Sequence, residues 1–281
     1  MNQRDYLPLD SGSETFVKLR QQVDREKYVP LCRELSKDRY AVVNFSEALS
    51  LLDRNELRIE DKVRIVWVHD VERPHGNWIS LGMAQVEQEF GLASTFFPRV
   101  YSFDSEGLRA PLLRIEAMPR HEVGYQYEEL TTANGDMKAA RDVFLLHLNR
   151  MREKGFSIRV LNSHGVWRAQ INAEKMLMDG DAWDTDFLRE AKILDNGECC
   201  GLFLSLLRNK FPGNAAYYGE TRLMGKEFLD ALGNTSPGTI VLLLNHSWLW
   251  SDLYDEPAFA DLTRIIRNQF EPEIFAYKKK T

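Results

Sequence analysis

The residues of this 281-residue chain best placed to do chemistry together are His69-Asp70-Val71-Glu72. They close an unbroken apolar run, Val63-Arg64-Ile65-Val66-Trp67-Val68, whose β-branched content predicts a buried strand of a parallel sheet. Open α/β folds keep their chemistry at the C-terminal ends of such strands. In extended backbone, residues two apart share a face. Asp70 and Glu72 therefore project together, with His69 and Val71 on the opposite side. Two carboxylates so arranged suit a hard or borderline cation together with a general base. The competing reading is that one of them caps the helix that follows.

Three more strand patterns end in capable groups. Glu122-Val123-Gly124-Tyr125-Gln126-Tyr127-Glu128 alternates, placing Val123, Tyr125 and Tyr127 on one face and Glu122, Gln126 and Glu128 on the other. Phe156 to Leu161 leads into Asn162-Ser163-His164-Gly165, and Thr239 to Leu244 leads into Asn245-His246-Ser247-Trp248. His164 and His246 are thus candidate ligands or proton donors, weighed against roles as turn and structural histidines. Trp167 and Trp248 adjoin them and could line a pocket for the flat faces of a pyranose, although large aromatics more often serve packing. His121 would face away from Gln126 and His147 flanks a helical stripe, so both are expected to be structural. His75 lies in a loop.

The elements that must position these groups alternate between strand and helix patterns, which argues for a parallel sheet or barrel. Helices are expected within Arg25 to Leu35, through Ser46 to Leu52 with Ser46 as N-cap, and along the stripe Ile79, Met83, Val86 and Phe90, closed by Gly91. Ser94 to Phe103 and Leu112 to Glu116 are expected as strands. A helix over Met137 to Lys154 buries Ala140, Phe144, Leu148 and Met151. Shorter helices are expected near 172–178, 185–192 and Arg222 to Leu232, and a last one begins near Pro257. With no internal repeat or Gly/Ser linker, residues 1–281 are expected to form one domain, with an irregular arm to about residue 22 and the barrel motifs over 60–250.

Composition narrows the function. The net charge of −6 argues against nucleic acid as the main partner. Three cysteines, Cys199 and Cys200 adjacent and Cys32 remote, fit no disulfide framework. The N-terminus lacks the apolar core of a signal peptide, and no apolar stretch is long enough to span a bilayer. The expectation is a cytoplasmic protein.

Taken in order, these segments resemble the polysaccharide deacetylase (NodB-homology) family, above all its branch whose first motif reads His-Asp-Val-Asp. The resemblance covers roughly residues 24 to 250. It rests on Val68-His69-Asp70-Val71-Glu72, on Met83-Ala84-Gln85-Val86-Glu87 running into Gly91-Leu92-Ala93-Ser94-Thr95-Phe96-Phe97, on His121 to Glu128, on Ser163-His164-Gly165 and on Leu243 to Trp248. It implies an α/β fold, a distorted, incomplete (β/α) barrel, that removes an N-acyl group from a sugar with help from a metal. By the same resemblance Asp70 matches the catalytic base and Glu72 stands where a metal-binding aspartate usually sits. His246 matches the histidine that protonates the leaving amine, with Trp248 beside it.

The departures are specific. Family members bring a pair of histidines from the second motif, where this chain has Gln126 and Leu130. A neutral amide is a weak ligand for zinc-like ions. His164 and Glu128 are the replacement ligands at hand, and a divalent metal is expected to be held weakly or not at all. The leading expectation is a hydrolase acting on an N-acylated sugar, a nucleotide sugar or a lipid-linked glycan precursor, in intracellular surface-polysaccharide synthesis. The alternative is a metal-free, inactive barrel that binds a glycan or a biosynthetic partner. A third keeps amide hydrolysis but on a small non-sugar amide.

Overall fold

A computed structural model describes residues 23–71, 76–104, 106–164, 171–180, 182–193, 200–219 and 226–250. In chain order these hold α1 (Arg25–Leu35), β1 (Tyr40–Val43), α2 (Phe45–Asp53), β2 (Val63–Val71), α3 (Gly76–Glu89), β3 (Ser94–Pro98), α4 (Glu106–Glu116), β4 (His121–Val123), β5 (Tyr125–Tyr127), α5 (Glu129–Thr132), α6 (Met137–Glu153) and β6 (Leu161–Ser163). Then come β7 (Met178–Asp179), β8 (Ala182–Trp183), α7 (Thr185–Glu190), α8 (Cys200–Lys210), β9 (Ala215–Gly219), α9 (Lys226–Gly233) and β10 (Ile240–His246). None of the described helices is long and apolar enough to cross a membrane.

The fold is mixed α/β around a mostly parallel sheet. Its order is β4-β3-β2-β10-β9, with β1 beside β2. β2 is buried along its whole length, as its continuous apolar run requires. One edge pairs with β10 from Arg64 to Asp70, while the other pairs first with β1 and then with β3. Beyond β4 the chain turns at Gly124, whose N–H donates to Phe96 O at 2.8 Å. Tyr125 N then donates to Val160 O at 3.1 Å and leads into the parallel pair β5-β6. Gly124 has to be glycine: a Cβ there would run into the Phe97 ring and lie 2.8 Å from Val160 O.

The two faces of the sheet carry separate cores. Ile65, Trp67 and Val71 pack with Ile79 and Met83 of α3, Leu112 of α4 and Phe144 of α6. Val66, Val68, Phe97, Val160 and Leu242 pack with Phe45 and Leu49 of α2 and Phe203 and Leu207 of α8. Asp70 follows Val66 and Val68 on that second face, at its C-terminal end.

Several expectations are corrected. Leu112 to Glu116 is the end of helix α4, whose buried Leu108, Leu112 and Ile115 keep helical spacing, rather than a strand. The strand from Ser94 stops at Pro98, and Val100–Phe103 is a 3₁₀ turn. α2 starts one residue before Ser46, and its N-cap is Asn44, whose side chain accepts from Glu47 N. Ser46 instead gives its N–H and hydroxyl to Glu122. The strand expected from Phe156 is confined to Leu161–Ser163. The arm to residue 22 and the helix expected from Pro257 lie outside the described residues.

Candidate functional site

Parallel pairing sets His246 of β10 beside Asp70 of β2 as register partners. The two side chains therefore emerge on one face, and His246 Nε2 lies 3.8 Å from Asp70 Oδ2. The other carboxylate oxygen, Oδ1, accepts a hydrogen bond of 2.8 Å from Asn162 Nδ2. Asn162 belongs to β6 of the separate β5-β6 pair, so this contact ties that pair to β2 of the main sheet. Asp70, Asn162 and Gln126 are all buried. Gln126 of β5 is the register partner of Asn162 and so shares its face.

Just past β5, Glu128 accepts from Arg99, which follows β3, in an ion pair, and from His164 Nδ1 at 3.2 Å. Burial would raise the Glu128 carboxyl, but the His164 hydrogen bond and the Arg99 guanidinium outweigh it and take the group down to about 2. His164 is held in turn by its own N–H on Tyr127 O at 2.8 Å. Asp70 with His246, and Glu128 with His164, thus stand at the same end of the sheet, joined through the Gln126–Asn162 register.

The other expected residues divide cleanly. Glu72, His75 and Trp167 lie outside the described residues, as does the Trp248 side chain. Leu130 is buried in the apolar core of the opposite face. His121 and His69 lie on that opposite face too, around Glu87 of α3: His69 Nε2 is 3.1 Å and His121 Nδ1 3.6 Å from its carboxylate. His147 is bonded to Glu129, with 2.7 Å between Nδ1 and Oε1.

Asn162 and Arg99 are the site residues that sequence reasoning passed over. Both sit at strand ends, which is the signal that could have found them, but attention there fell on the histidine and the carboxylates.

A zinc-like ion is the group that the resemblance implies, and the donors among the described residues, which do not include Glu72, do not suit it. Among the described residues no three His, Cys, Asp or Glu side chains form a group able to hold a metal. Glu128 has its charge met by Arg99, so the replacement ligand expected at that position is already engaged. Gln126 offers only a neutral carbonyl.

Compared with known proteins, the chain matches no family model, no curated sequence and no solved structure.

Proposed function

We propose that the chain is an amide hydrolase that removes the acyl group from an N-acylated sugar, built on an incomplete (β/α) barrel of the polysaccharide deacetylase type. The observation that carries this reading is the Asp70–His246 pair, a carboxylate and an imidazole side by side at the C-terminal end of two parallel strands. The Asn162–Asp70 bond, which brings the β5-β6 pair against the end of β2, supports the barrel.

The chemistry needs one base and one acid. Water attacks the amide carbonyl carbon as Asp70 Oδ2 takes its proton. The C–N bond then breaks as protonated His246 gives a proton from Nε2 to the departing nitrogen. A free carboxylic acid and an amino sugar leave. Asn162 fixes the carboxylate through Oδ1, which leaves Oδ2 toward His246. No step is assigned to a metal, since the donors among the described residues do not suit one. The substrates that fit are N-acylated sugars, nucleotide sugars or lipid-linked glycan precursors, met in the cytoplasm.

The test is a panel of N-acetylated and N-formylated sugar nucleotides and glycan fragments, incubated with purified protein and analysed by mass spectrometry. Loss of the acyl mass from one class supports the reading. A second reading, a barrel that binds a glycan or biosynthetic partner without turnover, is favoured by the Arg99–Glu128 ion pair and by Gln126 in place of a histidine. Binding without any loss of acyl mass would decide for it.

A further inference from the structure

Gln126 is a polar group at this site that the fold itself does not use. The residue is 1% exposed, and its Oε1 has no hydrogen-bond partner. A buried carbonyl left bare has lost its water and gained nothing in return. An apolar side chain of similar length would fill the position without that penalty, so packing does not account for an amide here.

Its surroundings define what it can receive. On its own face Gln126 follows Gly124, against which the Phe97 ring is packed, so the floor beneath it is hydrocarbon. It precedes Glu128, whose charge is met by Arg99 and His164. Across the strand pair it faces Asn162, which is bonded to Asp70. An uncharged acceptor between an apolar floor and a neutralised rim selects a neutral hydrogen-bond donor. A cation would need charge that the amide lacks.

Resting on the amide-hydrolase reading above, we propose that Gln126 is the specificity-determining residue, its Oε1 accepting the N–H of the substrate's acylamino group. The terminal amide turns about a soft sp³–sp² torsion, which lets the closed carbonyl swing toward an incoming donor. An ester oxygen in place of that N–H gives the carbonyl nothing to accept, and turning the amide to offer Nε2–H instead would still leave Oε1 bare. A site of this kind discriminates strongly against the analogue that lacks the donor.

The experiment compares matched N-acetyl and O-acetyl methyl glycosides and disaccharides, identical but for N–H against O. Binding is measured by calorimetry to the full chain carrying Asp70→Asn, which suppresses turnover. The N-acetyl member should bind about ten- to a hundred-fold more tightly. Adding Gln126→Leu should bring the two to within about twofold, chiefly by weakening the N-acetyl ligand. Gln126→Met, which keeps an unbranched side chain, should do the same if the leucine variant folds poorly. A preference that survives both substitutions, or equal binding before either, overturns the role of Gln126 and leaves the sugar reading standing. Failure of every pair to bind overturns the sugar reading, and this proposal with it.

Discussion

Asn162 shows most plainly how a single side chain governs the candidate chemistry. Its amide spans from β6 to Asp70 and holds one carboxylate oxygen, so that the other addresses His246. Asn162→Ala should lower kcat about ten- to a hundred-fold with KM little changed, since misplacing a base costs transition-state rather than substrate binding. Steady-state kinetics on the N-acyl sugar that the panel identifies checks this, and a matching rise in KM would point instead to a damaged pocket. Gln126 makes the complementary case for metal. Purified protein should hold zinc well below one equivalent, and Gln126→His should raise that occupancy by adding an imidazole ligand. Elemental analysis of both proteins reads it directly. Full zinc occupancy in the unmodified chain would mean that other residues have assembled a complete ligand set.

At the scale of elements, Glu87 ties the helical layer to the sheet. Its fully buried carboxylate accepts from Tyr28 of α1 and Ser94 of β3 and stands against His69 of β2 and His121 of β4. Burial alone would raise its carboxyl, but His69, His121 and Ser94 bring it below the usual value. A depressed carboxyl gives stability that is present above the unfolded value and lost as pH falls through the folded one. Glu128 adds in the same sense, its contribution disappearing between its ordinary 4.5 and about 2. His121, which burial holds below 6.5, also favours unfolding in acid. Glu122, which burial raises, works in the opposite direction. The melting temperature should therefore fall steadily as pH drops from about 6.5 toward 3. Glu87→Ala should cost roughly 2–5 kcal/mol in denaturant unfolding at neutral pH, because it strands the buried hydroxyls of Tyr28 and Ser94. A loss under about 1 kcal/mol would show that the cluster does not hold the helical layer to the sheet.

Legibility in the sequence follows how local each signal is. The β2 run and the Ile79, Met83 and Val86 stripe are legible because burial imposes periods of strand and helix directly on neighbouring residues. α4 is not, because Leu112 and Leu113 together imitate a short buried strand while the stripe that matters includes Leu108 and Ile115. Gly124 reads as one more member of an alternating strand. Only the approach of Phe97 and Val160, from elsewhere in the chain, makes it a turning point. The same holds at the site. Asp70 and His246 are visible as strand ends, whereas the Asn162–Asp70 bond and the Arg99–Glu128 pair join residues far apart in sequence, and no local pattern announces them.

At the scale of the whole molecule, parallel pairing sets the ends of β2 and β10 side by side and those of β5 and β6 side by side, and the Asn162–Asp70 bond joins the two pairs. The second core, filled by Phe45, Phe203 and Leu207, closes the space beneath them. The proposed chemistry is thereby placed at the rim where Asp70 and His246 meet. The measurement that bears most directly on the central claim is the rate of acetate or formate release from N-acyl sugars by the unmodified chain, beside Asp70→Asn and His246→Ala. The account predicts measurable release that falls by roughly two to four orders of magnitude in each variant. Release that both variants retain in full, or no release by the unmodified chain from any N-acyl sugar, would contradict it.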